Sequence, residues 1–382
     1  MKKKKKIIVF LVALIVSVYA EKLKVTPMEE FNIPIALGND INKELNGNVQ
    51  YSIPLSIYDF KKKGKGGVGI TTKKETIIEE VRSNILKGKS SSIGETREER
   101  QLKSSKPFLL GVEKIVLISE EHATYGILNI INLFFANAKI NDRGIFAVCK
   151  GKAEDILTFK VEGYPSSADY IEGMIKHATS YNFISDRYTL LDIYVTLDSE
   201  GKNLVLPYLE IKDKNITFAG MALFKGNKMA YVLPMEESKI MNMLREKKGE
   251  GTLSLQEGPD KYINYEAMVK RKVKCTKREG KYEFNIELDF QGDIIENTLY
   301  KELGKEKESE FEELMGKKIE KMCNDFLDKM KNVYKIDCLN LGMYAAAKYG
   351  RETGVDWNKE VSNADIKVSI KVKIDKSGRG QY

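Results

Sequence analysis

Between Tyr282 and Phe290 the chain alternates without a break. Tyr282, Phe284, Ile286, Leu288 and Phe290 fall on one side, and Glu283, Asn285, Glu287 and Asp289 on the other. Only an extended strand buried on one face has this period of two. The run before the Glu279-Gly280 turn repeats it, with Val269, Val273 and Cys275 against Lys270, Lys272 and Lys274. A third such strand closes the chain, where Ala364, Ile366, Val368, Ile370, Val372 and Ile374 alternate with Asp365, Lys367, Ser369, Lys371 and Lys373. A lysine face beside an acidic face favours one pairing register over its neighbours. Between these strands Phe311, Leu314, Ile319, Met322, Phe326, Met330 and Val333 trace a single stripe, predicting a helix over 306–334 packed on the sheet. Residues 255–382 are therefore expected to form a C-terminal α+β domain.

Upstream the texture differs. Asn48 to Tyr58 reads as a strand, Thr76 to Leu86 as a short amphipathic helix, and Gly88 to Lys106 as an exposed connection. Ile115 to Ile118 is a short apolar run. Ala123, Ile127, Ile130, Ile131 and Phe134 then recur at helical spacing, and Gly144 to Cys149 supplies another strand. Such a strand, helix, strand unit favours parallel pairing. Ser166 and Asp169 form a capping pair for a helix that buries Ile171, Met174, Ile175 and Ala178. From Tyr188 onward four strand-like runs follow, Leu190 to Val195, Leu204 to Ile211, Ile216 to Phe224 and Lys228 to Leu233, predicting a sheet of their own. The expected architecture is α+β and multi-domain, with mixed and antiparallel sheets packed with helices in three domains: 21–180, 187–254 and 255–382.

Residues 1–20 stand apart. Lys2 to Lys6 precede the apolar run Ile7 to Val18, with Ala20 before Glu21, which is the layout of an export signal. A run of about a dozen residues reaches about 18 Å as a helix, short of a hydrocarbon core of about 30 Å. Cleavage after Ala20 is expected, with an uncleaved N-terminal membrane anchor as the alternative. No later apolar stretch approaches a membrane span. Losing the five lysines would bring the formal charge from +8 to +3, and so balanced a chain does not read as a nucleic-acid binder.

Catalytic constellations are not evident. Lys65 to Thr72 (KGGVGITT) lacks the lysine that a phosphate-binding loop needs, since Ile70 stands in its place, and reads as a glycine loop. His122 and His177 are the only histidines, and His122 is expected in a solvated or capping role. Cys149, Cys275, Cys323 and Cys338 have no metal-ligand spacing; buried thiols are expected, with a Cys323 to Cys338 bridge as the alternative. Trp357 reads as a plug at a domain edge, in a linker before the last strand. Lys61 to Lys63 and the lysines of the last strand read as a solvated face, with contact to anionic lipid as the alternative. No catalytic residue, cofactor site or metal site is assigned. A secreted hydrolase using a pair of acids is the weakest of the functional readings.

Taken together, the segments Ser105 to Gly126 (SKPFLLGVEKIVLISEEHATYG), Ala147 to Leu157 (AVCKGKAEDIL), Pro207 to Leu233 with its GMALFKGNK core, Gly292 to Glu296 (GDIIE) and VSIKVKIDKSGRG from Val368 resemble, in order and spacing, the Ger(x)C family, the C subunits of spore germinant receptors. The resemblance implies a three-domain, non-enzymatic α+β protein on the outer face of the spore's inner membrane. Such a protein acts with membrane subunits A and B in nutrient-triggered germination. Family members carry a lipidated cysteine near the N-terminus; here Ala20-Glu21 occupies its place, and no lipidation site is assigned. A free extracytoplasmic binding or scaffold protein is the alternative.

Overall fold

The computed structural model describes residues 28–44, 47–61, 80–301 and 303–376. The export-signal residues, Ala20-Glu21, the glycine loop 65–72 and the lysines at 62 and 63 lie outside them. A short 3-10 turn, Met28–Glu30, leads into β1 (Pro34–Lys43), β2 (Val49–Lys61) and β3 (Glu80–Ser90), an antiparallel run. The helix α1 (Ile93–Leu102) follows, capped by Ser92. Next come β4 (Ile115–Ser119), α2 (Glu120–Tyr125), α3 (Leu128–Phe135) and β5 (Ile145–Cys149). Three helices then intervene, α4 (Ala153–Thr158), α5 (Ser167–Tyr181) and α6 (Leu190–Asp198), before β6 (Val205–Lys212), β7 (Asn215–Lys225) and β8 (Lys228–Pro234). All eight strands share one sheet in the order β3-β2-β1-β4-β5-β6-β7-β8, parallel from β1 through β6 and antiparallel outside. Every residue of β4 and β5 is buried, as central strands covered on both faces must be.

After α7 (Met235–Arg245) a second sheet begins with β9 (Lys248–Gly258), β10 (Lys261–Arg278) and β11 (Lys281–Asn297). It continues after the long helix α8 (Lys305–Lys329), a π turn over Met330–Tyr334, α9 (Leu341–Tyr349) and α10 (Trp357–Asn363), and is completed by β12 (Asp365–Lys376). The strand order is β12-β11-β10-β9, with β12 parallel to β11. The fold is α+β, two mixed sheets with helices packed on them, and among the described residues no helix is long and apolar enough to cross a membrane.

The lysine and acidic faces meet as the alternation requires, Lys270 opposite Asp289 and Lys272 opposite Glu287. Lys274 reaches Glu287 at 2.7 Å, but both side chains are exposed, so the pairs select register more than they stabilise. The stripe on α8 is displaced from the expected one. Phe311, Ile319, Phe326 and Met330 are buried as expected, joined by Met315, Cys323 and Leu327, whereas Leu314 and Val333 face solvent. Phe311 stands edge-on over Tyr265, which donates its hydroxyl proton to the Lys373 carbonyl across the sheet.

Other segments depart from expectation for identifiable reasons. Of Thr76 to Leu86, read as helical, residues 76–79 lie outside the described residues and Glu80 to Leu86 begin strand β3, their backbone paired with β2 from Lys61 to Leu55. The expected connection contains α1, whose buried face is polar: Thr96 and Arg100 lie inward, with Arg100 Nη1 donating to the Ile53 carbonyl at 3.2 Å. An apolar stripe was never there to find. Leu190 to Val195 is helical, started by a reciprocal capping box between Thr189 and Asp192. The strands assigned to a separate middle sheet extend the first one, through the pairs Val148–Tyr208 and Cys149–Leu209. All four cysteines are free and buried, so Cys323 and Cys338 form no bridge. Trp357 begins α10, capped by Asp356, and is not in a linker.

His122, expected in solvent or at a cap, is buried against the Tyr51 ring, with Nδ1 3.3 Å from the Asn39 carbonyl. Ser119 supplies the cap in its place. Burial pushes the imidazole down to about 4, against about 6.5 when unfolded, so its contribution to stability is present above the unfolded value and is lost as pH falls toward 4. Asp40, buried nearby in sequence, accepts the amides of Ala153 and Glu154, yet burial raises it to about 6. Its contribution has the opposite sign: the folded state holds the extra proton between about 4 and 6, and stability falls as pH rises through that window. The two nearly cancel. Urea denaturation of His122→Phe is therefore expected to show stability falling by about 2 kcal/mol from pH 4.5 to 6.5, relative to the parent chain, and Asp40→Asn a rise of similar size. A flat difference in both variants would contradict this.

Candidate functional site

The two sheets are joined by buried polar groups, and those groups surround a cavity. Phe183, at φ 56, projects from the end of α5 onto β9, its amide donating to the Glu250 carbonyl at 2.7 Å and its ring lying against Gly251. A Cβ at Gly251 would stand 2.4 Å from that ring. Trp357 makes a second tie, its indole donating to Glu200 at 2.8 Å.

The third tie is the loop between the π turn and α9. Asp337 is fully buried; its Oδ1 accepts the amides of Leu339 and Leu341, and its Oδ2 that of Gly342 at 2.7 Å. Burial raises its carboxyl above the usual range despite those donors. Three side chains from elsewhere fasten the loop. Asn203 donates to the Asp337 carbonyl and to Asn358 Oδ1. Arg245, at the end of α7, donates from Nη1 to the Cys338 carbonyl at 2.6 Å and from Nη2 to the Asn203 carbonyl at 3.1 Å. Arg271 of β10 donates from Nη1 to the Arg245 carbonyl and from Nη2 to the Leu339 carbonyl. Gly201 and Gly342 meet backbone to backbone, and a Cβ on Gly201 would lie 2.3 Å from the Gly342 carbonyl carbon.

Beside this loop opens a cavity of about 380 Å³. Its buried lining includes Tyr188, Asn242 and Arg271, and its rim includes the exposed Arg187 and Lys247. Lys202, Arg245 and Glu246 stand half-buried between. Five cationic side chains thus face two carboxylates, Asp192 and Glu246. Asp192 is engaged by its own cap at Thr189, and Glu246 lies 3.5 Å from Arg245 Nε. Burial first, and then repulsion from Arg245, Arg187, Arg351 and Lys247, lowers the Lys202 ammonium. Desolvation likewise lowers Arg271. Donors are left over: Arg271 Nε, Asn242 Nδ2 and the Tyr188 hydroxyl are buried and unpartnered.

None of these groups was singled out from the sequence. A signal existed for one of them, since Arg271 holds an inward position in the alternation of β10, between Val269 and Val273. The histidines singled out lie elsewhere: His122 is under β1 and His177 is exposed against Tyr181. None of the four cysteines lines the cavity, although the Cys338 carbonyl holds Arg245 beside it. Among the described residues no cluster of three or more metal-ligating side chains occurs.

Replacing Asp337 with alanine strands three buried amides. The expected cost is about 3 to 5 kcal/mol in urea denaturation. Asp337→Asn, which keeps an acceptor for Leu339 and Leu341, is expected to lose less than half as much. Equal losses would mean that the carboxylate's hydrogen bonds do not hold the loop.

Comparison with known proteins places residues 24–211 in the family described as the spore germination protein N-terminal domain, and residues 219–378 in the family described as spore germination B3/GerAC like, C-terminal. Spore germination protein GerQC of Bacillus cereus is 23% identical over 282 residues, which cover 72% of this chain and 77% of that protein. A crystal structure of the GerBC protein aligns with a TM-score of 0.49 at 15% identity, over 90% of this chain and 98% of that one.

Proposed function

The chain belongs to the GerAC-like family of spore germination proteins, and on that premise we propose that it is the C-type subunit of a germinant receptor. The observation that carries this reading is the succession of the two family domains, which in order take up residues 24–211 and 219–378. The subunit acts without catalysis, through contacts with two membrane subunits, on the outer face of the spore's inner membrane. The resemblance of the ordered segments from Ser105 to the C-terminal strand supports that part of the reading. The described residues, which contain no helix long and apolar enough to cross a membrane, would then depend on the rest of the chain, or on those partners, for a place at a membrane.

A second reading, a free extracytoplasmic binding or scaffold protein, draws on one feature: neither Ala20 nor Glu21 carries the thiol through which a lipid would be attached at that place. The two readings separate in the spore. Deleting the gene is expected to abolish, or slow at least tenfold, the germination of spores in the nutrient that the receptor answers to, with recovery on complementation. A tagged chain is expected to copurify with two integral membrane proteins from detergent extracts. Unchanged germination under every nutrient tried, together with recovery of the tagged chain free of membrane partners, would overturn the receptor reading.

A further inference from the structure

The cavity beside the Asp337 loop has the makings of a binding site that neither the fold nor the family assignment requires. Arg271 is 8% exposed and Asn242 1% exposed, and each carries an unpartnered donor. Buried polar groups are almost always satisfied, so these two mark a wall that carries more hydrogen-bond donors than the protein supplies acceptors for. The Tyr188 hydroxyl, 4% exposed in total, is the third.

Charge points the same way. Arg187, Lys202 and Lys247 line the cavity and make no ion pair among the described residues. The wall is not wholly polar: Leu191 and Val195 of α6 and Met343 and Tyr344 of α9 face the same space. The volume, about 380 Å³, is that of a small-molecule pocket. It is also held rigidly, since Arg271 and Arg245 are fixed by backbone carbonyls on both sides.

We propose that this cavity binds a small organic carboxylate, with the acid group received by Lys202, Arg187 and Lys247, and a short apolar body resting against Leu191, Val195, Met343 and Tyr344. A carboxylate supplies several acceptor positions and one negative charge, whereas the amide of the same shape brings an N–H₂ toward donors that cannot receive it. The body fits the apolar wall. Binding of this kind is independent of any role in germination, so a purified chain tests it whatever the spore phenotype.

The probes are benzoate and 4-methylpentanoate, each beside its neutral amide, titrated into the full chain carrying methyl-labelled methionine and followed at the Met343 methyl. Both acids are expected to shift that resonance saturably at millimolar or lower concentration, and each amide to bind at least tenfold more weakly. Lys202→Gln removes a repelled charge and is expected to fold at least as stably as the parent while losing about tenfold in affinity for the acids. Arg187→Gln, read in the same way, is expected to weaken the acids and narrow the gap to the amides. The proposal is overturned if the amides bind as well as the acids, if neither acid moves the Met343 signal, or if folded Lys202→Gln retains full affinity. Equal competition by inorganic phosphate would also overturn it, because a bare anion makes no use of the apolar wall.

Discussion

A carboxylate with no access to water has to be held by donors, and at Asp337 those donors are three backbone amides of its own loop. This constraint organises the junction of the two sheets. A loop wound around a buried acid has its carbonyls turned outward, and Cys338 and Leu339 offer theirs to Arg245 and Arg271, one from the last turn of α7 and the other from β10. Asn203, at the entrance to β6, closes the circuit to both the loop and α10. Four elements distant in sequence are thereby fixed to one another.

The cavity is a consequence of this arrangement. A guanidinium held by carbonyls keeps its net charge, because a carbonyl is a dipole and not an anion; Arg245 also meets Glu246 at 3.5 Å, while Arg271 has no ion pair among the described residues. The result is a wall of cations with two acids, one of which is occupied by its helix cap. The same rigidity prevents Arg271 from turning its Nε toward some other acceptor.

Apolar contacts complete the joint. Phe183 can lie against β9 only because Gly251 has no side chain, and a Cβ has no room on Gly201 against the Gly342 backbone or on Gly342 against Trp357. Lys329 and the Tyr334 hydroxyl both engage Glu237, joining α8 and the π turn to α7 beneath the first sheet's last strands. Interfaces of this closeness leave the two halves little room to move independently.

Periodicity made the second sheet legible. The alternations around Val269, Phe284 and Val368 gave three of its four strands, and the lysine and acidic faces meet in the pairs Lys270–Asp289 and Lys272–Glu287, whereas β9 was not read and begins inside the span 187–254 assigned to the middle domain. The Ser166 cap was legible too, because capping is local chemistry. Where burial and spacing disagreed, the reading failed: α1 buries Thr96 and Arg100, β3 has a spacing that suits a helix, and α6 is a short apolar run that its Thr189–Asp192 box alone identifies. His122 could not be read at all, since its burial depends on a helix folding over β1. The sequence by itself determined the local patterns, namely which faces are apolar, where helices start, and which family the ordered segments belong to. Only the tertiary structure decided that β6 to β8 continue the first sheet, and that Tyr188, Asn203, Asn242, Arg245, Arg271 and Asp337 meet. The reason is physical: pairing partners and buried hydrogen bonds are set by contacts between residues scores of positions apart, and no periodicity within one segment encodes them.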